Sequence, residues 1–293
     1  MKILVTGGSG FLGSHVADQL SAAGHQVIIY DKKKSKWLRK DQKMIIGDLQ
    51  DISKLEKAVA SSDVVYHFAA LADIDEALKK PIDTAKINIF GTVLALELCS
   101  KYKVKRFVYA STIYVNSNEG GFYRCSKKAA EDYIEEYHKT SGIDYTVLRF
   151  GSLYGERSDN TNGITNIINR AINSGVITYA GTKKFVREYI HVMDAAKASV
   201  NILNNKYKNK YIILTGKKKI KVYNFLKILA KILKISEKIK FLNQKYTGHY
   251  TKTPFTYQPK KGKKYIFSKQ ANFEKNLTKL VKNVKKIKNE KLV

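Results

Sequence analysis

Residues 1–13 read MKILVTGGSGFLG, and this stretch decides the order of the elements that follow. The apolar run Ile3 to Val5 predicts a buried strand, three glycines follow at Gly7, Gly10 and Gly13, and the next residues have the periodicity of an amphipathic helix. In a dinucleotide-binding βαβ unit, such glycines permit a tight turn, close approach of the backbone to a pyrophosphate, and close helix packing. They also occur in purely structural turns, so the stretch alone leaves both interpretations open.

Length and composition favour a globular α/β protein with one large domain, or with a large and a small one. The two cysteines, Cys99 and Cys125, have no paired spacing, which is typical of structural thiols in a reducing cytoplasm. The N-terminus lacks the pattern of a signal peptide, and no apolar run approaches the roughly 18 residues of a membrane helix. We therefore expect a cytoplasmic protein without a membrane partner.

The net charge of +29 is concentrated in the second half of the chain. Residues 1–150 contain 22 basic and 18 acidic side chains, whereas residues 151–293 contain 32 and 7. The excess is mostly lysine spread singly, which favours a solvated surface over a nucleic-acid site, where arginine and stacked aromatic residues are expected. Nucleic acid is therefore not the expected partner, although the positive field can attract an anionic substrate. Lys279 to Val293 is predicted to be a basic helix or a frayed tail, with membrane-surface binding as the lesser alternative.

The acidic residue that ends the second predicted strand, Asp31, indicates which dinucleotide the chain would bind. Val27 to Tyr30 is apolar and runs into Asp31, where a carboxylate accepts hydrogen bonds from an adenosine ribose and repels a 2′-phosphate. This favours NAD over NADP, although Lys32 to Lys34 could offset the repulsion. Farther on, Asp48 could meet an adenine amino group, but considered alone it is better explained as the cap of a helix over Ser53 to Ala60.

Two later strands end where a ligand is expected. Val64 to Phe68 leads into Ala69-Ala70, whose small side chains let the backbone lie against a cofactor, whereas His67 within the apolar run is predicted to be a core histidine. Arg106 to Ala110 leads into Ser111-Thr112. Because ligands of open parallel sheets bind beyond the carboxyl ends of the strands, the Thr112 hydroxyl lies where chemistry is expected, although a polar strand end is the plain alternative.

A tyrosine and a lysine then follow four residues apart, Tyr123 and Lys127, at the start of a helical run to Lys139. On a helix both side chains project from one face. An ammonium beside a phenol favours the phenolate and would lower the tyrosine pKa from about 10 toward neutrality, where the phenol can act as acid or base. The spacing is common by chance, but here it comes after five predicted strands and a glycine turn.

Strict alternation of strand and helix ends after a sixth strand, Tyr145 to Phe150. We predict further helices and a short strand in the second half, and an extended loop where two of the three prolines lie. The predicted helices cover Ile87–Tyr102 earlier in the chain and Gly163–Asn173, Val192–Leu203 and Lys221–Leu233 in this half; the strand covers Tyr211–Leu214 and the loop Thr251–Lys264.

Together these motifs resemble the extended short-chain dehydrogenase/reductase family, and in particular its NAD-dependent nucleotide-sugar epimerase/dehydratase branch. The likeness covers most of the chain. Its motifs are Thr6-Gly-Gly-Ser-Gly-Phe-Leu-Gly13, Asp31, Gly47-Asp48-Leu49, His67-Phe-Ala-Ala70, Asn88 before Gly91-Thr92, Ala110-Ser-Thr112, Tyr123-x-x-x-Lys127, Leu148-Arg149 with Tyr154-Gly155, and Arg187-Glu-Tyr-Ile-His-Val-Met-Asp194.

The resemblance implies an α/β fold, a Rossmann-type doubly wound parallel sheet with a smaller C-terminal substrate-binding α/β subdomain. Residues 1–155 would form the NAD-binding domain and residues 156–293 mainly the substrate-binding subdomain, with some segments returning to the first. A homodimer is expected from the family, through helices such as Ile87 to Tyr102 and Tyr123 to Lys139.

The resemblance also implies a catalytic triad of Thr112, Tyr123 and Lys127, with NAD as the cofactor, a nucleotide-sugar as the substrate and no metal. Lys127 would bind the nicotinamide ribose, Thr112 would hydrogen-bond the reacting hydroxyl, and Tyr123 would exchange its proton. The residues expected to bind the cofactor are Gly7, Gly10, Phe11, Leu12, Gly13, Asp31, Asp48, Leu49, Phe68, Ala69, Ala70, Asn88, Tyr123, Lys127 and Phe150. Those expected to bind the substrate are Thr112, Ser152 and Arg187, the last holding the diphosphate.

The residues after Thr112 bear on the choice of reaction. Dehydratases and decarboxylases that the chain resembles carry an acid just after the catalytic Ser or Thr, whereas Ile113 to Val115 are not acidic here. We therefore expect an epimerase, at C4, that acts through a transient keto-sugar. The alternatives are a nucleotide-sugar dehydrogenase or reductase, or a non-catalytic NAD-sensing protein. Asn116, Ser152 and Glu156 depart from the family pattern and leave the sugar and the base unspecified.

Overall fold

The computed structural model of the chain describes residues 1–235, 238–242 and 262–290. Within these ranges the chain alternates strands and helices up to β6 and becomes more irregular afterwards. The strands are β1 Lys2–Thr6, β2 Gln26–Asp31, β3 Gln42–Ile46, β4 Val64–His67, β5 Arg106–Thr112, β6 Asp144–Phe150, β7 Ser152–Tyr154, β8 Ile177–Ala180, β9 Val186–Arg187, β10 Tyr189–His191, β11 Lys210–Leu214, β12 Ile220–Lys221, β13 Ile239–Leu242 and β14 Lys263–Lys264.

The helices fill the connections between these strands. They are α1 Phe11–Ala22, α2 Ile52–Ala60, α3 Ile74–Lys79, α4 Pro81–Ala85, α5 Gly91–Lys101, α6 Gly121–Ser141, α7 Gly163–Ser174, α8 Val192–Asn201, α9 Val222–Leu233 and α10 Phe273–Asn289, with a π-helical turn at Lys86–Phe90 and 3₁₀ turns at Ile113–Asn116 and Asn205–Tyr207. No helix in the described part of the chain has both the length and the apolar character that a membrane crossing needs.

The described residues form one eight-stranded sheet in the order β14-β11-β6-β5-β4-β1-β2-β3. All its neighbouring strands are parallel. Strands β2 and β3 lie on one side of β1, and strands β4, β5 and β6 lie on the other. The strand order therefore reverses between β1 and β4. In open α/β sheets such a reversal opens a crevice at the carboxyl ends of the strands. The predicted doubly wound Rossmann-type fold is confirmed.

Helices cover both faces of the sheet, which explains the continuous apolar runs of its strands. Ile3 and Val5 of β1 face a core shared with α1 and α8, and Leu4 faces a core shared with α2, α5 and α6. A third core joins α7, α9 and α10 away from the sheet. Strands β11 and β14 join the main sheet from the second half of the chain.

Several predicted boundaries need correction. The cap of α2 is Asp51, whose side chain accepts from the amide of Lys54, so the interpretation of Asp48 as that cap is wrong. The helix predicted to begin at Ile87 starts as a π-helical turn. The basic helix predicted from Lys279 begins earlier, at Phe273, and residues 291–293 lie outside the described residues. So does most of the loop predicted from Thr251 to Lys264, whose last two residues form β14.

Helix α10 is basic on one side and apolar on the other. Its apolar side chains Leu277, Leu280, Val281 and Val284 are buried in the third core. The apolar side of α10 therefore packs against the rest of the protein. Its lysines lie on the opposite side and form a solvated basic face.

We expect Leu280→Ala to lower the free energy of unfolding by about 2–5 kcal/mol, because it removes buried methyl groups and leaves a cavity. Urea unfolding measures this change. Ile266→Ala is the control, since that side chain is 90% exposed and its truncation should change stability by less than about 0.5 kcal/mol. Equal effects of the two substitutions would contradict the packing of α10.

Candidate active site

The glycine turn after β1 lies directly against the end of β4. Gly7 has φ +70°, and a Cβ atom on it would lie 2.6 Å from the amide nitrogen of Ala69. A Cβ on Gly13 would lie 2.2 Å from the carbonyl oxygen of Gly7. Neither position can carry a side chain unless the turn moves. The turn therefore packs closely on the end of β4 and forms a compact cradle at the N-terminus of α1.

The start of α1 suits an anion. Its cap residue is Gly10, which has no capping side chain, and no acidic residue lies in its first turn. The amide groups and the positive end of the helix dipole are therefore not neutralised by the protein's own acids. Phe11, Leu12 and Gly13, predicted to contact the cofactor, form this first turn.

Asp31 lies beside the glycine turn at the end of β2. One carboxylate oxygen accepts from the amide of Ser9 at 3.0 Å, and the other accepts from the amide of Lys33 at 3.0 Å. These bonds fix the carboxylate at the carboxyl edge of the sheet. The structure thus places Asp31, which is predicted to bind the ribose, next to the glycine turn, which is predicted to bind the pyrophosphate.

Asp48 and Leu49 follow β3 at the same edge. The hydroxyl of Tyr30 donates to the backbone carbonyl of Asp48 at 2.6 Å, and the Asp48 carboxylate accepts from the amide of Gln50. Leu49 is buried, and Gly91 of α5 packs on it so closely that an added Cβ would lie 3.1 Å away. Their contact with an adenine ring stays a prediction.

Thr6 connects the turn to the end of β4. Its hydroxyl bonds to Nδ1 of His67 at 3.0 Å and accepts from the amides of Phe68 and Ala69 at 3.2 and 3.3 Å. His67 is fully buried and stacks on Phe107. Burial lowers the pKa of His67 to about 3, so the ring is neutral. His67 is therefore a core histidine, as predicted.

Asn88 lies in the π-helical turn, a deviation that is frequent at functional sites. Its side chain accepts from the amide of Leu71 at 2.8 Å and donates to the carbonyl of Leu71 and the hydroxyl of Ser126. It thus ties the loop after β4 to α6. The predicted contact of Asn88 with the cofactor stays a prediction, and the structure gives the residue this positioning role.

The three predicted catalytic residues converge between β5 and α6. Thr112 ends β5, and its side chain hydrogen-bonds the Tyr123 hydroxyl. Nζ of Lys127 donates to the carbonyl of Ala110 at 2.9 Å and lies 5.9 Å from the centroid of the Tyr123 ring. Gly121, with φ +50°, starts α6 so close to Leu78 that an added Cβ would lie 2.8 Å from it.

Burial dominates the electrostatics of this site. It raises the pKa of Tyr123 to about 12 and lowers the pKa of Lys127 to about 7, because it penalises the charged form of each group. The predicted lowering of the Tyr123 pKa is therefore wrong for this structure. The main reason is burial, and the Lys127 ammonium does not counter it because it bonds the Ala110 carbonyl and not the phenol.

A buried carboxylate behind the triad was not singled out from the sequence. Glu131 lies one helical turn after Lys127 and accepts hydrogen bonds from Ser111 and Arg149. The available signals were its position four residues after Lys127, which places both on one helix face, and a lone arginine within an apolar strand.

The predicted substrate residues lie beyond β6. Phe150 ends β6 and packs edge-to-face on Phe68. Ser152 begins β7, which pairs with β10. Arg187 of β9 is buried, donates to the carbonyl of Val186 at 3.1 Å, and places its guanidinium 5.1 Å from the Phe185 ring centroid. Their contacts with a substrate stay predictions.

The loop after β7 contacts helix α1 and the end of β10. The carbonyl of Glu156 accepts from Nε2 of His15 on α1 at 2.9 Å, and its carboxylate lies 3.4 Å from Nε2 of His191. Arg157 bonds Asp18 of α1 at 2.7 Å. Glu156, which departs from the family pattern, thus has polar partners on both sides.

Across the described ranges no group of three His, Cys, Asp or Glu side chains could hold a metal ion.

Comparison with known proteins gives relatives with several activities. A Methanocaldococcus jannaschii protein that carries the provisional name UDP-glucose 4-epimerase is 31% identical over 237 residues, 73% of this chain and 77% of its own. A Dictyostelium discoideum dTDP-D-glucose 4,6-dehydratase is 30% identical over 234 residues, 67% of this chain and 54% of its own. Proteins named as decarboxylases of UDP-glucuronate sugars match as well.

A solved structure covers nearly the whole chain. The UDP-glucose 4-epimerase of Thermotoga maritima, solved with UDP-glucose, is 26% identical and superposes with a TM-score of 0.84 over 98% of this chain and 99% of its own. The sequence profile of the NAD dependent epimerase/dehydratase family matches residues 3–214. NAD, predicted from the glycine turn and Asp31, is thus the cofactor of the matched family. The chain belongs to the NAD-dependent epimerase/dehydratase family, a branch of the extended short-chain dehydrogenase/reductases.

Proposed function

We propose that this chain is an NAD-dependent nucleotide-sugar epimerase that inverts C4. The convergence of Thr112, Tyr123 and Lys127 between β5 and α6, with no acid among the three residues that follow Thr112, carries the proposal. Relatives named as UDP-glucose 4-epimerases support it. Family membership alone does not, because dehydratases and decarboxylases match too.

The residues around the glycine turn fit NAD. The cradle at the start of α1 excludes side chains and offers amide groups to a pyrophosphate, and Asp31 stands at the end of the neighbouring strand. NAD bound there would supply the reversible hydride acceptor that oxidation and re-reduction of one sugar carbon require. Lys127 would hold the nicotinamide ribose.

The chain's own residues would move one proton and position the sugar. Thr112 donates to or accepts from the C4 hydroxyl and aligns it with Tyr123. Tyr123, as phenolate, takes the proton of that hydroxyl when the keto-sugar forms and returns it when the opposite face is reduced. The active form pairs this phenolate with the Lys127 ammonium, because each charge favours the other.

The residues after Thr112 argue against elimination of water. Ile113, Tyr114 and Val115 enter a 3₁₀ turn, and Ile113 is buried. None of them provides a carboxylic acid to a sugar carbon next to the reacting one. Epimerisation needs no such group, since a single acid–base residue serves both half-reactions.

Assembly and location complete the proposal. Exposed aromatic side chains at Phe90, Phe122 and Tyr133, on the π-helical turn and α6, are compatible with the homodimer expected through these helices. The homodimer and the cytoplasmic location both stay predictions.

We expect Gly13→Ala to weaken NAD binding at least about tenfold, because the new methyl group would overlap the Gly7 carbonyl and displace the turn. Calorimetric titration with NAD measures the affinity. Gly163→Ala is the matched control, since nothing lies within 4 Å of its added Cβ. A Gly13→Ala protein that binds NAD as tightly as this control would contradict the cradle.

We expect Tyr123→Phe to lower kcat by about 10²–10⁴-fold, because it removes the proton carrier and keeps the ring. The assay follows interconversion of UDP-glucose and UDP-galactose, with NADH absorbance showing no net oxidation. Tyr133→Phe, on the exposed side of the same helix, should keep full activity. Full turnover by Tyr123→Phe would refute the mechanism, and stoichiometric NADH would favour the dehydrogenase alternative.

We expect Arg187→Lys to raise the KM for the nucleotide-sugar about tenfold while kcat changes little, because lysine cannot bind a diphosphate with two parallel hydrogen bonds. Steady-state kinetics separate the two constants. Arg170→Lys, an exposed arginine of α7 that donates to Thr178, is the control. An unchanged KM would remove Arg187 from the binding site.

A further inference from the structure

A buried ion pair lies directly behind the catalytic triad. The side chains of Glu131 and Arg149 are only 1% and 4% exposed. Nε of Arg149 donates to one carboxylate oxygen at 2.9 Å, and Nη2 donates to the other at 2.7 Å. The pair thus has the bidentate geometry that makes such interactions strong and directional.

The pair joins the three elements that form the catalytic site. Glu131 lies on α6, one turn after Lys127, and Arg149 lies on β6. Ser111 of β5 is paired in register with Arg149, and its hydroxyl donates to Glu131 at 2.6 Å. The residue after Ser111 is Thr112. The carboxylate therefore fixes the strand that carries Thr112 against the helix that carries Tyr123 and Lys127.

Stability alone does not account for this pair. Removing two charges from water is costly, and apolar residues of similar volume often serve a core as well or better. Lys127 is also buried, lies one helical turn before Glu131 on α6, and has the neutral carbonyl of Ala110 as its hydrogen-bond partner. The negative charge of Glu131 opposes part of the effect of burial on this lysine.

Few charged groups face Lys127 from the elements packed on it. Tyr123 and Glu131 lie on its own helix, the Tyr109 ring of β5 lies 4.7 Å from Nζ, and His67 of β4 interacts with it electrostatically. His67 is neutral, and burial holds the pKa of Tyr109 well above its ordinary value. Within the described residues, the attraction that raises the pKa of Lys127 comes from Glu131.

Other groups surround the far side of the pair. The guanidinium of Arg149 lies 4.4 Å from the Tyr211 ring centroid, and its Nη1 donates to Asn116 at 3.4 Å. The Tyr211 hydroxyl donates to Glu135 at 2.5 Å. Glu135 is thus a second carboxylate on α6, but one held by a β11 tyrosine and not by Ser111.

We propose that Glu131 and Arg149 are a positioning pair for the reaction, an inference that rests on the proposed function of the same site. The pair holds the end of β5 against α6, and the Glu131 carboxylate, one helical turn after Lys127, favours the ammonium form of that lysine. Neither residue touches the reacting atoms.

The test is the pH dependence of NAD affinity, measured by calorimetric titration in wild type and variants. Affinity should fall as Lys127 loses its proton. Glu131→Gln removes the favourable charge, so the midpoint should move to lower pH by about one unit. Arg149→Met leaves the Glu131 carboxylate without its partner on β6, so kcat should fall at least about tenfold through lost alignment. An unmoved midpoint in Glu131→Gln, or an unchanged kcat in Arg149→Met, would overturn the proposal.

Three further variants separate charge from folding. Glu131→Asp keeps the charge and should restore the wild-type midpoint, and Glu135→Gln should leave it unchanged. The double variant Glu131→Gln/Arg149→Met leaves no unpaired buried charge and carries the test if a single variant fails to fold. Its midpoint should move to lower pH as in Glu131→Gln, because it also lacks the carboxylate, while kcat falls at least about tenfold through lost alignment. An undiminished kcat would overturn the positioning role.

Failure of this inference is distinct from failure of the proposed function. NAD titration needs no sugar, so the midpoints can be measured whatever the substrate is. A wild-type protein that binds NAD but inverts no nucleotide-sugar would refute the proposed function. A midpoint that stays at the wild-type pH in Glu131→Gln would refute the positioning pair.

Discussion

The close approach of the glycine turn to the end of β4 is the constraint on which the rest of the site depends. Thr6 binds the backbone of Phe68 and Ala69, and Gly7 fits there because it has no Cβ. This contact fixes the start of α1 at the point where the strand order reverses. The crevice for a dinucleotide opens there, and β5 and α6 place Thr112 and Tyr123 along the same edge.

Burial sets the chemistry of that edge. Tyr123 and Lys127 are both disfavoured in their charged forms, so the Tyr123 phenol is not poised for proton transfer by itself in this structure. A phenolate and an ammonium formed together compensate each other, and the buried Glu131 adds a negative charge within the protein. The site thus depends on paired charges among side chains of which Lys127 and Glu131 are buried, and each pair interaction there is stronger than in solvent.

Local patterns predicted much of the fold and part of the site. The apolar run of β1, the glycines after it and the four-residue spacing of Tyr123 and Lys127 each depend on neighbouring residues, so the sequence shows them directly. Asp51, not Asp48, caps α2, because a loop separates the end of β3 at Ile46 from the start of the helix at Ile52. Such boundary details depend on turn geometry, which spacing alone does not specify.

Features that depend on contacts between distant segments were not predictable in the same way. The Tyr123 pKa depends on burial and on the direction in which Lys127 points, toward Ala110. Asn88 acts through Leu71 and Ser126, which the fold brings together. The role of Glu131 requires that β5, β6 and α6 already be assembled.

The most direct test of the central claim is the fate of hydrogen at C4. A UDP-hexose labelled with deuterium at C4 is incubated with the NAD-loaded protein, and the product is analysed by mass spectrometry and NMR. The account predicts an inverted C4 that keeps its deuterium and takes none of its hydrogen from solvent. Loss of the label to solvent, or its transfer to C6 with loss of water, would contradict it.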